Sequence, residues 1–290
     1  MVISFFEDIF PYEKFPVEYE CFKQLKDCKN INYIAVPWAQ ILNSHWLNYP
    51  NKRPAEHYFR QLSRYKVQQT NNFTVCQHDS YMLLELYYKH LNITKVFTPL
   101  RDNTEKNIKD IQLIPIPFTN SFNFDLHKKR DILFSFVGSH TTHPLRERMK
   151  SRIVGNNIIY RNEYHVTSEI FSNKYNKIKQ EDEYKQILQR SLFSLCPRGS
   201  SCSSVRFWES LHAGSIPILI SDNWLLPEWD WNNTIIKIKE KEFESMTYND
   251  ISQLLNQITP EKINSLYVNT LKASAEFKQD NFKNYIESKI

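Results

Sequence analysis

The chain lacks any apolar run of the roughly 18 to 20 consecutive residues that a membrane-spanning helix needs. Its amino terminus, MVISFFEDIFPYEKF, carries acidic residues where a signal peptide has a basic region. These two absences argue against the integral-membrane and secreted classes. They predict a soluble, cytoplasmic protein without a membrane span.

The sequence also lacks a cysteine framework, because its five cysteines are an odd number and contain no CxxC pair. Small secreted domains that depend on disulfides have dense, paired cysteines. The pattern here predicts reduced thiols in a cytosol-like compartment, in agreement with the missing signal peptide.

No charge of one sign dominates the chain. Its 37 basic and 32 acidic residues are mixed along the sequence and leave a net charge of +5. A nucleic-acid-binding surface requires clustered basic residues, so nucleic acid is not an expected partner. An anionic small substrate is compatible with the same charge.

An Asp-x-Asp pair, with which many sugar-nucleotide enzymes hold a divalent metal, is absent. The acidic run EDE falls on a predicted solvated helix, where a charged face explains it. If the protein binds a diphosphate, arginines and a helix dipole must therefore replace the metal, and no cofactor is expected.

What the sequence does contain is an alternation of short apolar runs with amphipathic ones, typical of strands alternating with helices. It begins at NYIAVPW, continues to IQLIPIPF, and is interrupted by the polar stretch FTNSFNFDLHKKRD. We therefore expect a first α/β domain over residues 1–125, a second over 126–258, and a helical tail over 259–290.

The alternation restarts more regularly after the interruption, with predicted strands DILFSFVG, NIIYRN, LFSLC, SIPILIS and TIIKIKE. Parallel strands joined by helices form a doubly wound sheet, which binds ligands beyond the carboxyl ends of its strands. The predicted fold class is α/β, with two adjacent units and a ligand held between them.

The chain has only four glycines, Gly138, Gly155, Gly199 and Gly214, so each position is informative. Gly155 and Gly214 follow predicted helices and are interpreted as helix caps. Gly138 and Gly199 each come after a strand and before a helix. There they predict a close approach of the backbone to another group.

The stretch CPRGSSCSSVRFWESLHAG predicts an anion site. The chain turns at Arg198 and Gly199, and a helix begins near Ser204, so that backbone amides, the helix dipole and the Ser203 and Ser204 hydroxyls face the sheet edge. Arg206, in the first turn of this helix, supplies a planar fork that matches phosphate oxygens, and Arg198 offers a second.

Glu209 lies three residues after Arg206 and therefore on the same helix face. A carboxylate here would repel phosphate unless it contacted another part of the ligand, such as a pair of ribose hydroxyls. The alternative is that Arg206 and Glu209 form an exposed ion pair with no role in binding.

A second loop repeats this pattern more weakly, with Gly138 and Ser139 after a strand and Arg146 on the following helix. His140 and His143 in the same loop resemble a metal motif only superficially, since two histidines make a poor metal site. We interpret them as hydrogen-bonding loop histidines.

The polar triplet Gln77, His78 and Asp79 separates the apolar runs FTVC and YMLLELYY. A carboxylate at a strand exit can act as a general base in a cleft. Alternatively, Asp79 caps the following helix, with Ser80 beside it.

The stretch LFSLCPRGSSCSSVRFWESLHAGSIPILISDNWLLPEWDW resembles the signature block of the exostosin family of glycosyltransferases. The block runs Cys-Pro-Arg-Gly, a variable loop, Ser-x-Arg-x-x-Glu, a Gly-or-Ala helix end, Ile-Pro-Val and Leu-Pro. DILFSFVGSHTTHPLRERM and FTVCQHDSY resemble two further elements of that family more loosely.

This resemblance implies a GT-B-like fold, in which two Rossmann-like domains face a cleft. It also implies an inverting transferase that needs no metal and uses a nucleotide-diphosphate sugar, such as UDP-xylose, UDP-galactose or UDP-glucuronate. The implied acceptor is an oligosaccharide or a glycoprotein glycan. The chain looks like the short, anchorless members of microbes and large viruses. A catalytically inactive sugar-binding or partner module is the alternative.

On the donor side, the resemblance makes Arg198 and Arg206 diphosphate ligands and Glu209 a ribose or base ligand. The other residues implied on that side are Gly138, Ser139, Arg146, Ser203 and Ser204.

On the acceptor side, the resemblance makes Asp79 the base that deprotonates the acceptor hydroxyl, with Asp222, Glu228 and Asp230 as alternatives. The candidate acceptor-binding residues are His78, Trp224 and Trp229. The tryptophans of this last loop either stack on sugar rings or pack the core.

Overall fold

The computed structural model describes residues 1–10, 16–45, 47–48, 52–104, 108–120, 122–161 and 174–290. Contacts divide the chain into two compact units. The first unit comprises Met1–Thr119, Trp224–Pro227 and Phe277–Ile290, and the second comprises Asn120–Asn223 and Glu228–Glu276. The predicted tail at 259–290 is thus divided between the two units.

The first unit is a parallel sheet with helices. Its elements are β1 (Val2–Ser4), α1 (Pro16–Leu25), β2 (Tyr33–Ala35), α2 (Trp38–Leu42), α3 (Ala55–Arg64), β3 (Asn72–Val75), α4 (Glu85–His90), β4 (Ile93–Thr98) and β5 (Gln112–Pro115). Short 3-10 helices lie at Glu7–Ile9, Tyr81–Leu84 and Gln279–Asn281, and a last helix spans Phe282–Glu287.

The strands of the first unit lie side by side in their order along the chain, β1-β2-β3-β4-β5, and all pair in parallel. Every residue of β2 and β3 is buried. Such burial is typical of parallel strands whose faces are both covered. The sequence pattern predicted β2 to β5 but missed β1.

The second unit restarts the alternation, as the sequence predicted. Its elements are β6 (Ile132–Ser139), α5 (Pro144–Arg152), β7 (Ile158–Arg161), α6 (Lys174–Arg190), β8 (Ser191–Pro197), α7 (Val205–His212), β9 (Ile216–Ile220), β10 (Ile236–Lys237), α8 (Glu240–Phe243), α9 (Tyr248–Asn256) and α10 (Pro260–Glu276). A 3-10 helix spans Trp231–Asn233.

The second sheet is parallel, with the spatial order β10-β9-β8-β6-β7. Counted from its own first strand this is 5-4-3-1-2, a doubly wound order whose direction reverses between β6 and β8. Phe136 packs in a core with residues of α5 and α9, while Val137 packs with residues of α6. Helices therefore cover both faces, and the predicted doubly wound sheet is confirmed.

The two glycines interpreted as helix caps differ. Gly214 has a φ of 66°, its N–H donates to Leu211 O, and the next N–H, from Ser215, donates to Ser210 O. This Schellman motif confirms the predicted cap. The cap at Gly155 is wrong, because α5 already ends at Arg152 and Gly155 has no positive φ.

Gly155 serves close packing instead, since a Cβ there would lie 2.6 Å from Cε2 of Tyr248.

The tail helix α10 begins at Pro260, in agreement with the prediction that proline would occupy the first turn.

Candidate functional site

The predicted donor-side residues of the second unit meet where β6 and β8 end. Ser139 ends β6, Arg198 and Gly199 follow β8, and Ser204 precedes α7. This is the point at which the strand order reverses, where doubly wound sheets bind their ligands. The structure therefore brings the two predicted loops together at the expected edge of the sheet.

Arg146 connects the two strand ends. Its Nε donates to Arg198 O at 2.7 Å, and its Nη2 donates to Pro197 O at 2.7 Å. Nη1 donates to Ser139 O at 3.2 Å, and the residue is only 6% exposed. Carbonyl oxygens thus accept hydrogen bonds from all three nitrogens of its guanidinium, and a role of Arg146 as a donor ligand stays a prediction. Arg146 holds the loops that carry the other residues.

Arg206 lies over β6. Its Nη2 donates to Val137 O, and its Cζ lies 4.4 Å from the centre of the Phe136 ring. A Cβ at Gly138 would stand 2.1 Å from that Nη2, so the glycine leaves the space that the guanidinium fills. The predicted close approach at Gly138 is confirmed, and the group that approaches is the Arg206 side chain.

The Nε of Arg206 is buried and has no hydrogen-bond partner among the described residues. A buried, unpaired donor costs free energy, and proteins rarely keep one without a reason. Of the two predicted diphosphate ligands, Arg206 is the one whose Nε–H has no partner among the described residues.

Glu209 is paired with Tyr184 and not with Arg206. The Tyr184 hydroxyl donates to Glu209 Oε2 at 2.5 Å. The exposed ion pair considered as the alternative role of Arg206 and Glu209 is therefore wrong. Burial raises the pKa of Glu209, while the Tyr184 hydrogen bond and the nearby Arg206 charge oppose that rise.

Arg198 is the more accessible arginine of the strand-end loop, with 18% of its side chain exposed. Its Nε donates to Ser201 O at 3.1 Å, and its Nη1 lies 3.8 Å from Glu240 Oε1. Glu240 was missed by the sequence analysis, because it lies 42 positions further along the chain and belongs to no motif. Its carboxylate partly neutralises a predicted diphosphate ligand.

Ser203 and Ser204 are both buried, at 5% and 6% exposure. The Ser203 hydroxyl bonds to that of Ser201 at 2.8 Å, and Ser204 is the N-cap of α7, with an extended backbone. The helix start predicted near Ser204 is confirmed. Gly199 N–H donates to Ser203 O at 2.9 Å, which closes the loop.

The two histidines after β6 are hydrogen-bonding loop histidines, as predicted, although the partner of His140 lies on β7. His140 Nδ1 donates to Arg161 O at 2.9 Å, and His143 Nδ1 accepts the Leu145 N–H at 3.2 Å as the N-cap of α5. Within the described part of the chain, no three His, Cys, Asp or Glu side chains are grouped as metal ligands would be.

Asp79, the predicted base, lies in the first unit, in the turn between β3 and the 3-10 helix Tyr81–Leu84, and is exposed. The N-cap of that helix is Ser80. The Ser80 side chain makes no capping hydrogen bond, so a capping role of Asp79 stays a prediction. Next to Asp79, His78 accepts the Ser80 N–H on Nδ1 at 2.9 Å, and burial lowers its pKa to about 4.

Glu18 is a buried carboxyl group that the sequence analysis missed. Its Oε1 accepts the Gln77 N–H at 2.8 Å and the Ala39 N–H at 3.2 Å, and the residue is fully buried. Burial raises its pKa to about 8 against these two hydrogen bonds. Glu18 thus holds the backbone two residues before Asp79. The only available signal was its position on the helix face of Cys21 and Leu25.

The tryptophans proposed for acceptor binding have structural partners. Trp224 is 7% exposed and its Nε1 donates to Pro99 O at 3.0 Å, while Trp231 packs against Trp208 and Phe207. Both tryptophans therefore pack in the core, and acceptor binding by Trp224 stays a prediction. Trp229 is half-buried, and its Nε1 donates to Thr234 Oγ1 at 3.0 Å.

The family described as the Exostosin GT47 domain matches residues 73–252, which is more than half of the chain and includes both predicted sites. The chain belongs to the exostosin family. The resemblance inferred from the signature block is thereby confirmed, and the two parallel α/β units are the fold expected of this glycosyltransferase family.

Individual exostosin relatives match over shorter segments. The chain is 43% identical over 63 residues to an exostosin-1 homolog of Caenorhabditis elegans, a segment that covers 21% of this chain and 16% of that protein. It is 44% identical over 62 residues to exostosin-1 of Drosophila melanogaster, covering 20% and 8%. A probable glycosyltransferase of Arabidopsis thaliana is 30% identical over 88 residues, covering 29% and 18%.

Among solved structures, the chain is similar to one titled as the GtfA/B complex bound to UDP and GlcNAc. The TM-score is 0.34 at 9% identity, over 81% of this chain and 54% of that one.

None of the helices in the described part of this exostosin chain is both long and apolar enough to span a membrane.

Proposed function

We propose that this exostosin-family chain is an inverting glycosyltransferase, which moves a sugar from a UDP-sugar to a hydroxyl of a saccharide acceptor without a metal. Family membership supports the reaction class. The observation that carries the assignment of the donor side is the arrangement where β6 and β8 end. There Arg206 keeps an unpaired Nε beside the amino terminus of α7.

The diphosphate of the donor binds Arg206 and Arg198 in this proposal. Arginine matches phosphate geometry and keeps its charge, so two guanidinium groups and the start of α7 stabilise the leaving diphosphate. Arg146 positions both loops through its bonds to Ser139 O and Arg198 O.

The ribose hydroxyls of the donor bind Glu209. Tyr184 occupies Oε2 of this carboxyl group, which orients Oε1 as the acceptor for a pair of vicinal hydroxyls. Because Tyr184 lies on α6 and Glu209 on α7, one hydrogen bond sets the carboxyl group between two helices.

Asp79 is the base in this proposal. Its carboxylate takes the proton of the acceptor hydroxyl as that oxygen bonds to the anomeric carbon. The bond from this carbon to the diphosphate oxygen breaks on the opposite face, and the electron pair leaves with the UDP. The configuration at the anomeric carbon is therefore inverted.

The proposal is tested by UDP binding and turnover with the whole chain. We expect UDP to raise the melting temperature, and Arg206→Ala to remove most of that rise. Arg148→Ala is the matched control, because Arg148 is half-exposed on α5 and pairs only with Glu244 among the described residues. A panel of UDP-xylose, UDP-galactose, UDP-glucuronate and UDP-N-acetylglucosamine then identifies the donor through slow release of UDP.

Two outcomes would contradict the proposal. UDP binding without turnover of any donor, with candidate acceptors present, would favour the inactive sugar-binding module. That alternative draws support from the internal partners of the donor-side arginines, such as Glu240 for Arg198. Loss of activity in EDTA with recovery on adding manganese would contradict the metal-free mechanism.

A further inference from the structure

A cavity of about 470 Å³ opens in the first unit beside the predicted base. Its volume is within the range of small-molecule sites, roughly 300 to 1,000 Å³. His78 and Ser80, the neighbours of Asp79 on either side in the sequence, both line it. A molecule in this cavity therefore lies next to the Asp79 turn.

The wall of this cavity combines aromatic, aliphatic and uncharged polar groups. Phe59 and Tyr87 stack on each other with ring centres 4.6 Å apart, and Leu83 contributes an aliphatic side chain that is 80% exposed. Leu83 extends the apolar wall at the rim of the cavity. The C–H face of a pyranose ring fits such a surface.

His78 supplies the directional group. Its Nδ1 accepts the Ser80 N–H, so in the neutral ring the proton must be on Nε2. Burial lowers the pKa of His78 to about 4, which keeps the ring neutral at physiological pH. The side chain therefore presents a fixed, uncharged N–H donor to an oxygen in the cavity.

Charge separates the possible ligands. Among the described residues that line the cavity there is no Lys, Arg, Asp or Glu. A uronate or phosphate placed here would lose water without gaining a lysine or arginine partner from the lining, and it would lie near the Asp79 turn. A neutral sugar meets neither penalty.

We infer that this cavity is the acceptor site, and that it takes an uncharged sugar ring that stacks on the Tyr87 and Phe59 side and accepts a hydrogen bond from His78 Nε2. The inference rests on the proposed function, because only a transferase has an acceptor substrate. It adds a class of substrate, a neutral saccharide terminus, and three residues that select it.

The test is saturation-transfer NMR on the whole chain with matched glycosides. The probes are methyl β-D-glucopyranoside, methyl β-D-galactopyranoside and methyl β-D-xylopyranoside, against methyl β-D-glucuronopyranoside. The glucose and glucuronic acid probes differ only in a CH₂OH against a carboxylate. We expect at least one neutral probe to bind about fivefold or more tightly than the glucuronide, since desolvating an unpaired carboxylate is costly.

Variants locate the binding. Tyr87→Ala should abolish the neutral-probe signal, whereas Leu86→Ala is the control, because Leu86 is 78% exposed on the same helix and does not line the cavity. His78→Asn keeps an acceptor for the Ser80 N–H but loses the Nε2 donor, so binding should weaken about 5- to 10-fold. His78→Gln restores an N–H near the position of Nε2, so this variant should recover part of the lost binding affinity.

A glucuronide that binds as well as every neutral probe, or neutral binding that survives Tyr87→Ala, would overturn the inference. Melting curves with UDP on the same samples keep the two proposals separate. A UDP shift without sugar binding in the cavity overturns the acceptor site alone. Sugar binding that depends on Tyr87, without any UDP shift, upholds the cavity and counts against the donor proposal.

Discussion

The Arg206 guanidinium occupies the space that a side chain at position 138 would need. A Cβ on Gly138 would stand 2.1 Å from Arg206 Nη2. The glycine of one loop and the arginine of the other therefore depend on each other, although 68 positions separate them.

Gly138→Ala should displace Arg206. We expect UDP to bind about tenfold more weakly, which corresponds to 1.4 kcal/mol, and the free energy of unfolding to fall by about 1–3 kcal/mol from overpacking. Gly199→Ala is the control, because the nearest atom to its Cβ, Ser203 O, is at an ordinary 3.4 Å. Melting temperatures measured with and without UDP report both the stability and the UDP binding of each variant. Equal losses of UDP binding in the two variants would argue against this role of Gly138.

Arg146→Met should destabilise the second unit. Three backbone carbonyls at the ends of β6 and β8 would lose their donor, so we expect the free energy of unfolding to fall by about 3 kcal/mol. Arg148→Met on the same helix should cost less than about 1 kcal/mol, as expected for a half-exposed ion pair. Urea unfolding of both variants gives the comparison, and a small loss for Arg146→Met would mean that it is not a structural residue.

Glu240→Gln should strengthen UDP binding. The carboxylate lies 3.8 Å from Arg198 Nη1 and competes with a phosphate for that charge. The amide keeps an oxygen for the Asp222 N–H, so the loop should remain in place. We expect a gain of up to about fivefold, since the pair is partly solvated. Titration calorimetry with UDP measures it, and weaker binding would show that Glu240 orients Arg198.

Asp79→Asn should reduce turnover by about 10²- to 10⁴-fold while UDP binds as before, because general-base catalysis contributes that factor. The residue is exposed in a turn, so the fold should tolerate the amide. Asp222→Asn and Glu228→Gln are the parallel variants for the alternative bases. Normal transfer rates for Asp79→Asn would exclude Asp79 as the base.

Glu18→Gln should flatten the dependence of stability on pH. The folded state binds the Glu18 proton more tightly, with a pKa of about 8 against an ordinary 4.5. The unfolded chain therefore ionises first, and stability falls as pH rises from about 4.5 to about 8. Melting temperatures of the two proteins should be similar near pH 5, and the variant should melt higher near pH 8.5. A constant difference across this range would contradict the shifted pKa.

The signature stretch shows how far local pattern alone reaches. It predicted the helix start at Ser204 and the cap at Gly214, because an N-cap and a left-handed glycine are properties of a few consecutive residues. The same reasoning placed a cap at Gly155, where the glycine instead makes room for the Tyr248 ring. A glycine after a helix has two explanations, and only the neighbour in space decides between them.

The amino-acid sequence by itself determined the parallel α/β class, the second series of strands and helices, and membership of the exostosin family. These follow from hydrophobic periods and from a motif whose order is visible along the chain. Only the tertiary structure decided that Arg146 holds carbonyls, that Glu18 is buried behind the Asp79 turn, and that Trp224 packs inside. Each of these depends on contacts between residues far apart in sequence, 52 positions for Arg146 and Arg198 and 59 for Glu18 and Gln77. Hydrogen bonding and burial at that separation are set by how the strands are ordered, which no local pattern encodes.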